Sequence, residues 1–279
     1  MKDIKDYFNE QKDLLKQENL NIHTVPYFIV IQVGDNEASN RYIKNKIKDC
    51  KDIGIQVELI KLKEDIDKEE LYKTCILLNK NPLLSGYMIQ FPLPKQFDEK
   101  EVLSWIAPEK DVDGFSKDSL VNPATPQGII TYLEDNDYKF EGKSALVLGR
   151  SSIVGKPIVE LLLKKNCSIM WLHSKSSEKD KFNFINQADL IICAVGKENT
   201  IRKEDFITEY SKQNKVKNNC IVFDVGINFN KEGKLVGDCE KDLNVNFQSP
   251  VPNGVGLLTR LQLLRNILYL EKKLQERNT

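Results

Sequence analysis

Tyr42 and Lys46 stand four residues apart in a stretch where Ile43, Ile47, Cys50 and Ile53 recur at helical spacing. The hydroxyl and the amine therefore lie one above the other on one helix face, beside an apolar stripe. A lysine at the edge of a buried surface is partly desolvated, which lowers its pKa and makes proton transfer possible near neutral pH. Lys44, Lys48 and Lys51 crowd the same helix, so one tyrosine beside one of many lysines is the competing reading. Gln90 ends the run G-Y-M-I and precedes F-P-L-P, whose prolines fix a rigid, extended exit. A glutamine there is a fixed amide donor and acceptor at the strand end where open α/β sheets gather ligands. Asp111 and Asp113 flank one valine in K-D-V-D-G-F, although an Asp-Gly pair also serves as plain turn punctuation.

A second constellation lies in A-L-V-L-G-R-S-S-I-V-G-K-P, residues 145 to 157. An apolar run stops at Gly149, a second glycine and a proline follow, and a helical pattern takes over from Ile158. Strand, tight turn and helix N-terminus make a phosphate cradle from backbone N–H groups and the helix dipole. The spacing from Gly149 to Gly155 departs from G-x-G-x-x-G, and an ordinary strand-to-helix turn has the same outline. The next strand, Ser168 to Leu172, ends in His173-Ser174-Lys175 with no carboxylate for a ribose hydroxyl, and Arg150 follows the first glycine. The 2′-phosphate of NADP is therefore better accommodated than NAD.

The elements that must position these groups alternate. A charged amphipathic helix over residues 3 to 17 leads into a strand from Tyr27 to Val33 and a helix with Ser39 as its N-cap. A strand from Ile55 to Leu62, a helix from Lys68 to Leu78 and a strand from Gly86 to Gln90 follow. This is the pattern of a parallel βαβ sheet. Proline-rich N-P-A-T-P-Q-G, residues 122 to 128, marks a boundary, with a helix expected over 129 to 136. Buried strands ending in glycine then recur at A-D-L-I-I-C-A-V-G and I-V-F-D-V-G, and a final helix is expected from Thr259. The 279 residues allow one large or two medium domains, and 41 basic against 41 acidic side chains give no support for a nucleic-acid or membrane partner. The charged N-terminus does not read as a signal peptide, so a cytoplasmic protein is expected. Two histidines are too few for a histidine metal site, and six scattered cysteines without a C-x-x-C pair read as small buried hydrophobes.

In order along the chain, Y-I-K-N-K, M-I-Q-F-P-L-P, K-D-V-D-G-F, P-A-T-P-Q-G, G-R-S-S-I-V-G-K-P, the strand ending His173-Ser174, A-D-L-I-I-C-A-V-G, V-F-D-V-G-I-N and P-V-P-N-G-V-G resemble the bifunctional methylenetetrahydrofolate dehydrogenase/methenyltetrahydrofolate cyclohydrolase family. The resemblance runs from about Gly34 to Thr259. It implies an α/β chain of two domains with the folate in a cleft between them, in a homodimer. Residues 1–125, completed by a C-terminal helix 257–279, would form the βαβ catalytic domain. Residues 126–256 would form the Rossmann-type NADP-binding domain.

The implied activity oxidises 5,10-methylenetetrahydrofolate with NADP and hydrolyses the methenyl product to 10-formyltetrahydrofolate. By position, Lys46 would be the principal residue of ring opening, with Tyr42 stacking near the folate, Gln90 holding Lys46 and Asp113 binding the pterin. Arg150 and Ser174 would hold the 2′-phosphate, Gly149, Ser151 and Gly155 would line the phosphate turn, and Ile227 of V-F-D-V-G-I-N would also meet the cofactor. The chain departs from the family at Ser116, where histidine is usual, at Ala124 for cysteine, and at Asn253, Leu257 and Leu258 within the family's G-G-V-G-P-M-T. These departures raise the alternative of a folate- or nucleotide-binding protein that has lost catalysis. Short-chain dehydrogenases also use Tyr-x-x-x-Lys, but there the pair follows the glycine turn, whereas Tyr42 precedes Gly149.

Overall fold

The structure, a computed structural model, describes residues 1–206 and 219–278. In chain order the elements are α1 (Ile4–Leu20), β1 (Tyr27–Val33), α2 (Glu37–Asp52), β2 (Gln56–Leu62), α3 (Lys68–Asn79), β3 (Gly86–Ile89), α4 (Glu99–Leu103), α5 (Ala124–Asp135), β4 (Ser144–Leu148), α6 (Gly155–Lys164), β5 (Ser168–Leu172), α7 (Glu178–Ile185), β6 (Leu190–Cys193), β7 (Ile221–Asp224), β8 (Asn228–Phe229), β9 (Leu235–Val236), β10 (Phe247–Gln248) and α8 (Val255–Asn278). They fall into two units. One is Asn9–Ala124 with Arg260–Thr279; the other is Met1–Phe8 with Thr125–Thr259.

The first unit holds a parallel sheet in the order β2-β1-β3. β1 is central, pairing Phe28 with Val57 on one side and with Gly86 on the other. A central parallel strand is covered on both faces, which is why Y-F-I-V-I-Q-V is a continuous apolar run. Ile29, Ile31 and Val33 join Tyr87 and Ile89 and the α3 residues Leu71, Cys75 and Leu78 in one core. On the opposite face Phe28, Val30 and Met88 are buried, and α2 reaches Met88 through Lys46. α8 completes this unit. Leu261, Leu264, Ile267 and Leu268 are almost fully buried, Asn266 Nδ2 donates to the Val112 carbonyl at 2.9 Å, and Ser85 Oγ donates to Glu271 at 2.7 Å.

The second unit holds a parallel sheet in the order β10-β7-β6-β4-β5. The strand order reverses at β4, which neighbours β5 on one side and β6 on the other. Ligands of open α/β sheets sit outside the carboxyl ends of strands at such a switch point. All six cysteines are buried.

Four helix starts differ from the sequence reading. Asn36, not Ser39, caps α2: its side chain accepts from Ser39 N at 3.1 Å. Asn and Ser cap equally well, and here Ser39 lies inside the first turn. α5 starts at Ala124 and α6 at Gly155, several residues ahead of the expected Ile129 and Ile158. Both helices carry proline in the first turn, where the missing N–H has no partner to lose. α8 opens at Val255 and not at Thr259, so Gly256 belongs to a helix and not to the loop before it.

Candidate active site

In the first unit, Asn36 caps α2, whose inner face presents Tyr42, Lys46, Asp49 and Cys50. Lys46 is 8% exposed. Its Nζ donates to Gln90 Oε1 at 3.2 Å and lies 3.3 Å from Met88 Sδ. Gln90 Nε2 is tied to the carbonyl of Phe91 at 2.7 Å, which turns the amide oxygen toward the lysine. Gln90 N itself donates to the Ile31 carbonyl at 2.8 Å, continuing the sheet by one residue past β3. The helix thus delivers the amine, and the strand end delivers the group that orients it.

Burial pushes the Lys46 amine below the ordinary lysine value, against the opposing pull of the Asp113 carboxylate and Cys50; the Arg260 charge pushes the same way as burial. Burial pushes Asp113 up to about 6, again against Lys46 and with a further push from Asp111. An exposed Lys–Asp pair would move both values toward the charged forms. Here both move toward the neutral forms, so desolvation outweighs attraction. Tyr42 is half-buried, and burial raises its hydroxyl's pKa, which keeps it protonated at neutral pH.

Asp111 and Asp113 have different jobs. Asp111 accepts from Gly114 N at 3.0 Å and Ser116 N at 2.6 Å, so it holds the loop that presents Asp113. Gly114 sits at φ +74, and a Cβ there would lie 2.5 Å from the Asn122 carbonyl carbon, so the Asp-Gly pair is a packing requirement as well as a turn. The raised Asp113 carboxyl has a stability consequence. Below about pH 4 both folded and unfolded chains hold its proton; as pH rises through about 6 the folded chain must ionise a buried group, and stability is lost. Asp113→Asn removes the ionisation and should stabilise the protein at pH 8 by about 2–3 kcal/mol, with the gain vanishing toward pH 4. Thermal unfolding of both proteins across that range checks the sign.

In the second unit, Gly149 follows β4 at φ +114, and a Cβ would lie 2.1 Å from the Ala194 carbonyl oxygen at the end of β6. A Cβ on Gly155 would lie 2.5 Å from the Gly149 carbonyl oxygen. The switch-point turn is therefore bare backbone. Ser151 Oγ accepts from Val154 N and Gly155 N, both at 3.2 Å, and Trp171 Nε1 donates to the Gly149 carbonyl at 2.7 Å. Arg150, Ser151, Ser174, Lys175 and Ile227 are all exposed. The end of β5 is shaped by His173, whose N donates to Ser176 Oγ at 3.0 Å and whose Nδ1 accepts from Lys175 N at 3.2 Å. A bare backbone cradle, an exposed guanidinium and a strand end free of carboxylate fit a dinucleotide carrying a 2′-phosphate.

Sequence reasoning missed the buried acids at the ends of β6 and β7. Asp238 Oδ2 accepts from Val195 N at 2.7 Å and Gly196 N at 2.9 Å, and its Oδ1 accepts from Lys197 N at 2.8 Å. Asp224 accepts from Gly226 N, Asp238 N and Cys239 N at 3.0, 2.8 and 2.9 Å. Burial raises the Asp224 pKa against these backbone donors. A Cβ on Gly226 would meet Asp238 Oδ1 at 2.2 Å, and one on Gly237 would meet Asp224 Oδ2 at 1.9 Å. Two Gly–Asp contacts reading across between D-V-G and V-G-D were the available signal.

The departures at 253, 257 and 258 are structurally accommodated. Asn253 holds φ +72, a left-handed conformation asparagine tolerates better than other residues with a Cβ, while Leu257 and Leu258 are buried in the first turns of α8.

Two family descriptions match the chain: the tetrahydrofolate dehydrogenase/cyclohydrolase catalytic domain over residues 2–113, and the NAD(P)-binding domain of the same family over residues 123–275. The bifunctional protein FolD of Oceanobacillus iheyensis is 37% identical over 287 residues, covering 98% of this chain and 95% of its own. That of Lysinibacillus sphaericus is 41% identical over 276 residues, covering 95% and 92%. Among solved structures, the bifunctional FolD methylenetetrahydrofolate dehydrogenase/cyclohydrolase of Campylobacter jejuni superposes with a TM-score of 0.89 at 34% identity, covering 97% and 98%. The Trypanosoma brucei dehydrogenase-cyclohydrolase, complexed with NADP and an inhibitor, has a TM-score of 0.87 at 25% identity, covering 98% and 97%. With both its halves matched and such relatives spanning nearly its whole length, the chain belongs to the tetrahydrofolate dehydrogenase/cyclohydrolase family.

Proposed function

We propose that the chain oxidises 5,10-methylenetetrahydrofolate to the methenyl form with NADP and then hydrolyses it to 10-formyltetrahydrofolate. The observation that carries this reading is the buried Lys46 amine, held by Gln90 and facing a raised Asp113. NADP, when bound, supplies the hydride acceptor. Gly149, Ser151 and Gly155 would offer backbone to its phosphates, Arg150 and Ser174 would hold the 2′-phosphate, and Ile227 would also meet the cofactor.

For hydrolysis, neutral Lys46 accepts a proton from water as the water oxygen bonds to the methenyl carbon. The protonated amine then gives a proton to N5 as the carbon–N5 bond breaks, while the hydroxyl proton leaves to solvent and the formyl group stays on N10. A depressed lysine pKa raises the neutral fraction near pH 7 that this step needs. Gln90 fixes the amine, Tyr42 stacks near the folate as an uncharged phenol, and Asp113 hydrogen-bonds the pterin. A homodimer in the cytoplasm belongs to the same reading; no helix among the described residues is long and apolar enough to cross a membrane.

One assay pair tests the function: methylenetetrahydrofolate with NADP and with NAD, and hydrolysis of the methenyl form supplied directly. Folate binding without either turnover would overturn it. Arg150→Ala should weaken NADP about tenfold to a hundredfold and leave NAD unchanged, because a guanidinium–phosphate contact is charge-assisted. Titration of both dinucleotides checks this, and equal loss for both removes Arg150 from the 2′-phosphate.

A further inference from the structure

One side chain outside the groups assigned to the cofactor holds the turn after β4: Trp171. Gly149 is buried, and both of its backbone groups are tied to β5, the edge strand of the sheet. Its N–H donates to the Leu172 carbonyl at 2.9 Å, and its carbonyl accepts from Trp171 Nε1 at 2.7 Å. Trp171 is 41% exposed. An indole N–H at that exposure can be left to water; here it goes to a backbone carbonyl 22 residues earlier in the chain. No other group among the described residues donates to that oxygen, so without the indole a buried carbonyl stands unpaired.

That bond sets the direction of the N–H on the other side of the same peptide. The two cis bonds among the described residues both precede proline, so the Gly149–Arg150 unit is trans, and a planar trans peptide points its C=O and N–H in opposite directions. The carbonyl faces the indole and the start of α6, where a Cβ on Gly155 would lie 2.5 Å from its oxygen. The Arg150 N–H is therefore turned away from both. It belongs to an exposed residue and donates to no group among the described residues. A glycine at φ +114 has the conformational freedom to let this peptide rotate; the indole holds it in one orientation. A free backbone N–H at a strand-to-helix turn, on the switch point of a parallel sheet, is a donor for a phosphate oxygen.

We propose that Trp171 is a positioning residue for the cofactor's phosphates: its indole N–H holds the Gly149 carbonyl back and so turns the Arg150 backbone N–H out toward the diphosphate that NADP and NAD share. This rests on the reading of the Gly149 turn as the cofactor site.

The test is titration of the full chain with NADP and with NAD, comparing wild type with W171F, W171H and G149A, alongside hydrolysis of methenyltetrahydrofolate and the melting temperature of each. Phenylalanine keeps a flat ring on the edge strand and removes the donor. Histidine carries an N–H at the same place in its five-membered ring and is uncharged at about pH 8, where the titrations are run, so it restores the bond. W171F should weaken NADP and NAD alike, each about tenfold, and W171H should bind both within about threefold of wild type. Hydrolysis, whose residues belong to the other unit, should be unchanged in both. W171M, a second variant without the donor, takes the place of W171F should that one fail to fold. A merely structural indole lowers the melting temperature of the variants and treats their affinities alike. Binding like wild type in the donor-free variant, or an equal loss in W171H, therefore overturns the proposal. A loss confined to NADP places the effect at the Arg150 guanidinium and overturns it too. If G149A binds both dinucleotides like wild type, the turn is not the cofactor's and the reading beneath the proposal falls with it. If G149A loses them and W171F does not, only the role of Trp171 is lost.

Discussion

Lys46→Met lowers the rate of methenyltetrahydrofolate hydrolysis by about 10²–10⁴-fold, the range for loss of a positioned proton acceptor, and leaves NADP affinity unchanged. The second half follows from placement, since Lys46, Gln90 and Asp113 belong to one unit and the Gly149 turn to the other. The substitution should not destabilise the fold. Methionine replaces the unbranched lysine stem with an apolar chain of similar length, and its neighbour across the site is already a methionine sulfur, Met88. Removing the cation also removes what pulls Asp113 down, so its carboxyl rises further. At pH 7 that costs stability by linkage, while no longer burying an amine returns some, so a folded protein melting near wild type is expected, with the closest match near pH 5 where Asp113 keeps its proton. Stopped hydrolysis in a protein that melts normally and titrates NADP normally assigns the amine to chemistry. Retained hydrolysis refutes the assignment.

The chain makes plain how far such a site is legible before folding. Tyr42, Lys46, Gln90 and Asp113 are visible because each is tied to local punctuation: a helical repeat, a strand end before prolines, an Asp-Gly turn. The structure adds what depends on long-range packing. That Lys46 and Asp113 both shift toward neutrality is a statement about burial by the rest of the unit, and the 3.2 Å contact to Gln90 joins residues far apart in sequence. Asp49 accepts from Arg260 Nε at 2.6 Å across a separation of 211 residues, so nothing local marks them as a pair. Asp224 and Asp238 were hidden for another reason. Their partners are backbone N–H groups of loops, which any residue can supply and no residue type advertises. The early starts of α5, α6 and α8 share one cause, since proline and glycine read as breaks where the first turn of a helix tolerates both; α2 differs because Asn36 caps it in place of Ser39.

The opposite separation of activities is expected from Gly149→Ala, which should abolish NADP-dependent oxidation while hydrolysis of supplied methenyltetrahydrofolate continues. At φ +114 an alanine is strained before it touches anything, and its Cβ would then lie 2.1 Å from the Ala194 carbonyl oxygen. Neither side can give way cheaply. Gly149 N donates to the Leu172 carbonyl at 2.9 Å and Ala194 N to the Leu148 carbonyl at 2.8 Å, while Trp171 Nε1 holds the Gly149 carbonyl at 2.7 Å. Backbone strain and overpacking together cost about 3 kcal/mol, less than the usual stability of a domain, so a folded protein with a displaced turn is the expected species. NADP affinity should fall at least about tenfold, because phosphate recognition by backbone needs the N–H groups in register. Gly142→Ala supplies the control: Gly142 is at φ +75, with nothing within 4 Å of its added Cβ, so it reports the conformational cost alone, about 1–2 kcal/mol. If Gly149→Ala binds NADP like wild type while melting lower by the same amount as Gly142→Ala, the close approach at Ala194 is a packing detail and the cofactor turn lies elsewhere. If it loses NADP while the Lys46 reaction persists, the two halves of the chain carry separable chemistry.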